Sequence, residues 1–289
     1  MPTHKSVTLT IGFGLCLLLT ASACQSTERN IVRQVDHILI GSSDADELFS
    51  LLADTLQLPV AWPMSNYGFF TSGGVAVGNV NLEVFKERGS GDGGARSRFA
   101  GMALEPEPLQ ESLVELEARD IAHGRTSAFT SPSSEGTSTI LWRTVMLPTV
   151  SSDATMVFLC EYWRDVEAER VRLLDELRSR DGGPLSFDSV SEILYGTTDM
   201  ERAKDNWQRL LDPLAPSAPG VWHVGAGPAI RVVDADRDGI IGIVVRVSSL
   251  ARARDFLREH DLRGEDSPDG FTMAGSRLQG LIIRLVEGY

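Results

Sequence analysis

The sequence predicts an α+β protein built from four βαβββ units arranged in two pairs. The stretches "VDHILIGSSD" (35–44) and "VSEILYGTTD" (190–199) are identical at five of ten positions and lie 155 residues apart. Each stretch is followed by a segment with apolar residues at helical spacing, and each of these segments leads into glycine-rich strand sequence. The two halves of the chain are therefore expected to be two copies of one arrangement.

The first strand and helix of each half carry the clearest signals. Asp44 and Asp199 come directly before the helical segments, where a short carboxylate can accept hydrogen bonds from unpaired backbone N–H groups. The two helices are expected to stop at Pro59 and Pro213, because proline cannot continue a helix. Both halves thus begin as strand, capped helix and further strands.

Each half then repeats the pattern once. In the first half an amphipathic helix over 109–122 is expected to end near Gly124, a residue type common just past helix ends. A charged segment, 164–180, predicts a helix that joins the two halves and ends before Gly182 and Gly183. The remaining predicted elements are strands at 99–105, 139–147, 155–163, 242–247, 271–274 and 280–286, and a helix at 251–260.

Composition restricts the class of protein. The chain has 289 residues, of which 42% are hydrophobic, and a formal net charge of -13. This length is enough for one large domain or two smaller ones. Nucleic acid is not expected as a partner, because the sequence contains no basic cluster.

The N-terminus is expected to be an export signal. Lys5 precedes an apolar run that is too short for a stable membrane anchor, and Ala21, Ser22 and Ala23 stand before Cys24. This pattern resembles a bacterial lipoprotein processing site, which implies a signal peptide over 1–23 and lipid on Cys24. By the same resemblance, Gln25 implies an outer-membrane-anchored lipoprotein facing the periplasm, within the cell envelope.

The cysteines leave two alternatives for the mature chain. Cys16 departs with the signal peptide, so only Cys24 and Cys160 remain. If Cys24 carries lipid, no internal disulfide can form. The alternative is cleavage after Ala23, a soluble secreted protein and a disulfide between Cys24 and Cys160. The segment "CQSTERN" favours the first alternative, because it is typical of a flexible tether.

Four short motifs carry a resemblance to a known superfamily. "VDHI" (35–38) opens the first strand, "NLEVF" (81–85) ends the first unit, and "WRTVMLP" (142–148) precedes "VFLCEY" (157–162). In this order they resemble the glyoxalase/bleomycin-resistance/extradiol-dioxygenase (vicinal oxygen chelate) superfamily, glyoxalase-like subgroup. The resemblance implies two half-open barrels, each made of two units. The expected divisions are a signal peptide at 1–23, a lipidated tether at 24–31, domain 1 at 32–163, a helical linker at 164–184 and a degenerate domain 2 at 185–289.

The same resemblance implies a metal site in domain 1. Its ligand positions fall on His37, Glu83 and Glu161, while the fourth position falls on Gly101, which has no side chain to offer. Imidazole and carboxylates suit Zn, Fe, Mn or Ni. Glu161 is the expected proton shuttle if the domain is catalytic. In the second half Glu192 replaces His37, so no metal set is expected there.

The residues by themselves allow simpler interpretations. His37 could be a core histidine within a sheet, and both glutamates could face either solvent or a cavity, since each lies opposite its apolar neighbours. The run 234–239, "DADRDG", resembles the start of a calcium loop, but a polar turn is favoured because Val245 stands where a bidentate glutamate is required.

The functional hypothesis is an exported glyoxalase-like lipoprotein with a small-molecule cavity in domain 1, acting as a divalent-metal-dependent lyase or isomerase. Two alternatives stay open: a metal-free binding or sequestering protein of the bleomycin-resistance kind, and a structural lipoprotein with vestigial sites. Whether the protein is an enzyme, what it binds and its oligomeric state do not follow from the sequence. Aromatic residues that could line the cavity are Trp62, Tyr67, Phe69, Phe70, Trp142 and Trp163.

Overall fold

The computed structural model of the chain describes residues 29–68, 70–86, 96–132 and 138–288. The predicted signal peptide, Cys24, Phe69 and the glycine-rich run 89–94 lie outside these residues. Within the described ranges, no helix is long and apolar enough to cross a membrane.

The first half forms a curved mixed sheet with the strand order β2-β3-β4-β1-β5-β8-β7-β6. Helix α1 continues into a π-helical turn at Leu51–Thr55 before Pro59, and a 3-10 turn at Pro148–Val150 precedes the last strand. The strands are β1 (Val32–Ser42), β2 (Val60–Asn66), β3 (Thr71–Val77), β4 (Val80–Lys86), β5 (Ser97–Pro106), β6 (Ser127–Pro132), β7 (Ser138–Met146) and β8 (Met156–Tyr162), and the helices are α1 (Ala45–Ser50) and α2 (Leu109–Ala118).

The second half forms another mixed sheet, with the strand order β10-β11-β9-β12-β15-β14-β13. Helix α3 (Glu167–Ser179) joins the two halves and packs against β2 and β3 of the first sheet. The remaining elements are β9 (Phe187–Thr197), α4 (Met200–Leu211), β10 (Val221–His223), β11 (Ala229–Asp234), β12 (Gly239–Val247), α5 (Leu250–Glu259), β13 (Arg263–Ser267), β14 (Gly270–Met273), a 3-10 turn at Ser276–Leu278 and β15 (Ile283–Glu287).

The internal repeat is visible in the strand pairing. β1 runs parallel to β4 and antiparallel to β5, and β9 runs parallel to β11 and antiparallel to β12. Both caps form as predicted: Asp44 accepts from the N–H of Glu47 at 3.4 Å, and Asp199 accepts from the N–H of Arg202 at 3.1 Å. The α+β fold of paired βαβββ units is thus confirmed.

The end of α2 differs from the sequence prediction. The helix stops at Ala118, and Asp120 adopts the left-handed conformation (φ 52°) that the sequence assigned to Gly124. Aspartate tolerates this conformation better than most residues. Gly124 instead lies beside β7, where its N–H donates to the carbonyl of Met146 at 2.8 Å.

The core of the first half lies between the convex face of its sheet and its helices. Ile38 and Ile40 of β1 are fully buried on that face, and Leu48 of α1 packs into the same cluster. Burying a side chain of this size contributes roughly 1.5–3 kcal/mol each. Alternate residues of β1, starting with His37 and Leu39, point to the concave face, where the candidate site lies.

Candidate functional site

A cavity of about 820 Å³ lies between the concave face of the first sheet and α3. Its volume falls within the roughly 300–1,000 Å³ typical of small-molecule sites. Its walls are mainly aromatic, and the polar groups are concentrated at one end. The aromatic residues that matter most below are Trp62, Tyr67, Phe70, Trp142, Phe158 and Tyr162.

Aromatic contacts bring the two ends of the curved sheet together across the cavity. Tyr67, in the turn between β2 and β3, stacks on Phe70 with ring centroids 5.0 Å apart. Tyr67 also meets Trp142 of β7 edge-on at 6.0 Å, and Trp142 stacks on Phe129 of β6 at 4.9 Å. Such pairs contribute roughly 0.5–1.5 kcal/mol each beyond their buried area. These aromatic contacts therefore close the half-barrel between the β2–β3 turn and strands β6 and β7.

His37 lies at the polar end of the cavity with both ring nitrogens beside carboxylates. Nδ1 is 2.7 Å from Oδ2 of Asp36, and Nε2 is 3.1 Å from Oε2 of Glu83. A doubly protonated imidazolium ring donates to both oxygens. Burial lowers the pKa of His37, but the hydrogen bonds and charges of Asp36 and Glu83 outweigh burial and raise it from 6.5 to about 10.

Asp36 and His37 are consecutive residues, yet both line the cavity. Successive side chains of a regular strand point to opposite faces. The pairing of β1 with β5 shifts register between Val35 and His37, and this irregularity accommodates Asp36. Sequence analysis missed Asp36; the one available signal was a carboxylate next to the histidine in "VDHI".

Asp36 connects the cavity to helix α3. Its carboxylate accepts from the hydroxyl of Tyr162 at 3.0 Å and from the guanidinium of Arg170, which also contacts Glu105 at 2.7 Å. Burial raises the pKa of Asp36, but its contacts with His37 and Arg170 outweigh burial and hold the pKa below 3.8. The result is a line of alternating charges, Glu83, His37, Asp36, Arg170 and Glu105, which we call the charge chain.

The structure corrects the prediction for Glu161. Along β8 the cavity is lined by Phe158, Cys160 and Tyr162, so Glu161 points to the opposite face. There its carboxylate accepts from the N–H of Leu109 at 2.8 Å, at the first residue of α2. Glu161 therefore helps to cap a helix and does not join His37 and Glu83, so it can be neither a third ligand nor a proton shuttle at this site.

Register identifies which residues of the second unit correspond to His37 and Glu83. Glu83 pairs with Leu39, two residues after His37; correspondingly, Phe158 pairs with Ala103, two residues after Gly101. The corresponding positions are thus Gly101 and Phe158. A Cβ on Gly101 would lie 2.3 Å from the carbonyl oxygen of Met156, so the close approach of β8 requires glycine there.

The donors present do not fit the divalent metal that the sequence resemblance implied. His37 and Glu83 are two protein donors, whereas catalytic zinc sites use three. Phe158 brings an apolar ring to within 6.0 Å of the His37 ring centroid, where a further ligand would be needed. Among the described residues, no three histidine, cysteine, aspartate or glutamate side chains form a cluster suited to a metal ion.

Cys160 is a buried thiol that lines the same cavity. Burial, with smaller effects from nearby carboxylates, raises its pKa well above the usual value. It is therefore a neutral, apolar part of the wall at physiological pH. Its proposed disulfide partner, Cys24, lies outside the described residues.

The second half carries an ion pair at the equivalent positions. Glu192 corresponds in register to His37, and Arg231 corresponds to Glu83. Arg231 donates to both oxygens of Glu192, from Nε at 2.7 Å and from a terminal nitrogen. Each of these two side chains is therefore engaged by the other.

The acidic run 234–239 lies in the turn between β11 and β12. Asp238 accepts from the N–H of Thr198 at 2.9 Å and from the hydroxyl of Thr197 at 3.0 Å, and Arg202 of α4 donates to it at 3.1 Å. The carboxylate thus joins the turn to the start of α4, as the polar-turn interpretation predicts.

Comparison with known proteins gives no sequence match and a clear structural one. No protein-family model matches the chain, and no curated protein matches it. A hypothetical protein from Staphylococcus aureus superposes with a TM-score of 0.58 at 11% identity, covering 88% of this chain and 99% of that one.

Ring-cleaving dioxygenases are also similar in structure. Homoprotocatechuate 2,3-dioxygenase from Arthrobacter globiformis gives a TM-score of 0.57 at 13% identity, covering 90% of this chain and 80% of that one. The 2,3-dioxygenase LapB from Pseudomonas sp. KL28 gives 0.54 at 10% identity, covering 90% and 93%. At these identities the likeness concerns the fold alone: the chain has the paired βαβββ fold of these dioxygenases.

Proposed function

We propose that this protein binds a small molecule in the first-half cavity without a metal ion. The observation that carries the proposal is the state of His37, whose two ring nitrogens both face carboxylate oxygens. The imidazole is engaged by hydrogen bonds within the protein, and its raised pKa means that a metal would have to displace a tightly held proton.

The shape and lining of the cavity support binding. Its volume of about 820 Å³ suits a ligand of drug size, and aromatic rings form most of its walls. At its inner end Asp36, His37 and Oε2 of Glu83 are already hydrogen-bonded to each other, so these groups stay paired when a ligand enters. This arrangement favours a binding or sequestering protein over the metal-dependent lyase or isomerase that the resemblance suggested.

The activity named for the similar dioxygenases is not carried over to this chain. The candidate proton shuttle, Glu161, caps α2 on the far face of the sheet. Gly101 and Phe158 leave only two donors at the four corresponding positions. Both facts remove groups that the enzyme hypothesis requires.

The proposal is tested with the neutral aromatic dye N-phenyl-1-naphthylamine, titrated into the soluble protein from residue 25 onward in the presence of EDTA. The dye should bind at one saturable site. Met156→Trp, at a lining position that is 40% exposed, should block the cavity and weaken binding about tenfold or more, a loss of about 1.4 kcal/mol.

The matched control is Ile282→Trp. Ile282 occupies the corresponding position in the second half, where its carbonyl approaches Gly242 as that of Met156 approaches Gly101. It is 51% exposed, and this variant should bind the dye as the wild type does. Equal binding by all three proteins, or binding that disappears in EDTA, would contradict the proposal.

We further propose that Cys24 carries lipid and holds the protein in the cell envelope, at the outer membrane and facing the periplasm. The support is the segment of small residues before Cys24 and the tether that follows it. Full-length protein expressed in a Gram-negative host should incorporate radiolabelled palmitate, and Cys24→Ser should not. Labelling that persists in the variant would place the lipid elsewhere, and no labelling of the wild type would favour the soluble secreted alternative.

A further inference from the structure

The inner end of the cavity is bounded by a carboxylate. In the charge chain, Glu83, Asp36 and Glu105 are negative, and His37 and Arg170 are positive. At the outer end of the line Glu105 is also paired with Arg33, at 3.2 Å, whereas the cavity end of the line is the carboxylate of Glu83. The side chain of Glu83 is 14% exposed, so it is largely removed from bulk water while still reachable from the cavity.

Glu83 has spare hydrogen-bonding capacity. Its Oε2 faces His37, and Oε1 has no hydrogen-bond or ion-pair partner among the described residues. Oε1 is not among the fully buried, unpaired side-chain atoms of the described residues, so it opens onto the cavity. A ligand in the cavity can therefore bring a positive charge to Oε1 without breaking the contact between Oε2 and His37.

The positive groups near the cavity cannot serve an anion equally well. His37 donates to two carboxylates, and Arg170 contacts both Asp36 and Glu105. Arg164, which lines the mouth, is exposed, so water and salt screen its charge. Among the described lining residues, the inner end of the cavity thus presents a carboxylate and no uncommitted cation.

The aromatic walls favour the same ligand charge. Trp62 lies beside the polar end, with its ring centroid 6.3 Å from that of His37. Tyr67 lies close enough for the charge of Glu83 to act, after burial, in raising its pKa. The faces of indole and phenol rings attract cations, by as much as about 2 kcal/mol when water is excluded. Rings and carboxylate together form a site for a flat molecule with a positive charge.

We propose that the ligand of this cavity is a planar aromatic cation, bound with its rings against the aromatic walls and its charge against Glu83. This inference rests on the proposed function and specifies its ligand class. The formal net charge of -13 would also raise the local concentration of such cations near the protein.

The test compares three ligands of one shape by isothermal titration calorimetry in EDTA at mildly alkaline pH: N-methylacridinium (cationic), acridine (neutral) and acridine-9-carboxylate (anionic). The cation should bind about tenfold or more tightly than acridine, which is a difference of about 1.4 kcal/mol. The anion should bind most weakly.

Variants assign the preference to Glu83. Glu83→Gln keeps an oxygen that can accept from His37 but removes the charge, so the cation and the neutral ligand should bind about equally. Asn81→Asp adds a carboxylate on the same face of β4, two residues away, and should increase the preference for the cation. This gain does not depend on whether the first variant folds. The control, Glu192→Gln, lies outside the cavity and should leave all three affinities unchanged.

The outcomes separate the two proposals. If N-methylacridinium and acridine bind equally, or if the anion binds best, the ligand class is wrong while a binding cavity stands. If the preference for the cation persists in Glu83→Gln and is unaltered in Asn81→Asp, Glu83 is not its source and the inference is overturned. If neither the acridines nor N-phenyl-1-naphthylamine binds, the proposed function itself fails.

Discussion

Replacing Asp36 with asparagine should strongly destabilise the first half of the molecule. The side chain is 5% exposed and accepts from Nδ1 of His37 at 2.7 Å, from Tyr162 at 3.0 Å and from Arg170. The variant leaves His37 and Arg170 each without one carboxylate in a buried setting. Removing one partner of a buried ion pair costs about 3–5 kcal/mol, because the remaining charge is desolvated and unpaired.

Urea unfolding followed by far-ultraviolet circular dichroism measures this loss. With a slope of about 3 kcal/mol per molar urea, the expected loss moves the unfolding midpoint of the first half down by about 1–1.7 M. The matched control is Glu192→Gln. Glu192 lies on β9, the first strand of the second half, and its carboxylate is paired with Arg231 of β11. Those side chains are 24% and 39% exposed, so the expected cost is about 0–1 kcal/mol.

The comparison can refute the reasoning directly. If Asp36→Asn loses no more stability than Glu192→Gln, the charge chain is not a coupled, desolvated unit. The assignment of His37 as an imidazolium held between two carboxylates would then also be wrong.

Three further predictions follow from the same structure. Gly101→Ala should lower the free energy of unfolding in urea by about 1–3 kcal/mol, because the added methyl group would lie 2.3 Å from the carbonyl oxygen of Met156. An unchanged midpoint would show that β8 moves away at little cost. Glu161→Gln should cost about 0.5–2 kcal/mol, through its weaker contact with the N–H of Leu109, and leave dye binding intact; loss of dye binding with full stability would restore Glu161 to the site. Since the pKa of His37 is raised from 6.5 to about 10, its contribution to stability is complete below pH 6.5 and is lost as the pH rises through about 10. His37→Phe should therefore show a flatter fall in urea midpoint across that range, and parallel curves for variant and wild type would contradict the assignment.

The repeated fold was predictable because its signals are local. Asp44 and Asp199 precede leucine-rich helices, and a capping carboxylate followed by apolar spacing determines where a helix begins. The buried central strands β1 and β9 are strongly apolar, so their identity was clear. Matching them across the two halves gave the order of the units.

The strands that sequence analysis missed all lie at the edges of sheets. β2 and β6 are the outer strands of the first sheet, and β13 is the outer strand of the second. Edge strands can face solvent and tolerate proline, as Pro63 of β2 shows, so they lack the apolar pattern of a central strand.

The candidate site was predictable only in part, because long-range register decides it. In sequence, Glu83 and Glu161 look alike, because each lies between apolar residues of a strand. In the structure, Glu83 faces the cavity and Glu161 faces α2. Only the pairing of β5 with β8 shows that Phe158 takes the position equivalent to Glu83. The role of Arg170 could not be predicted either. Helix α3 is rich in charged residues, and the sequence does not distinguish an arginine that faces the cavity from those that face solvent.

Metal content is the most direct test of metal-independent binding. The purified protein from residue 25 onward is equilibrated in turn with Zn²⁺, Mn²⁺, Ni²⁺ and, without oxygen, Fe²⁺, then desalted and analysed by inductively coupled plasma mass spectrometry beside His37→Ala. The structure predicts substoichiometric metal in both proteins, because His37 and Glu83 are the only two donors among the described residues at the four corresponding positions. One metal ion per chain in the wild type, lost in His37→Ala, would contradict the proposed function and support the hypothesis of a metal-dependent enzyme.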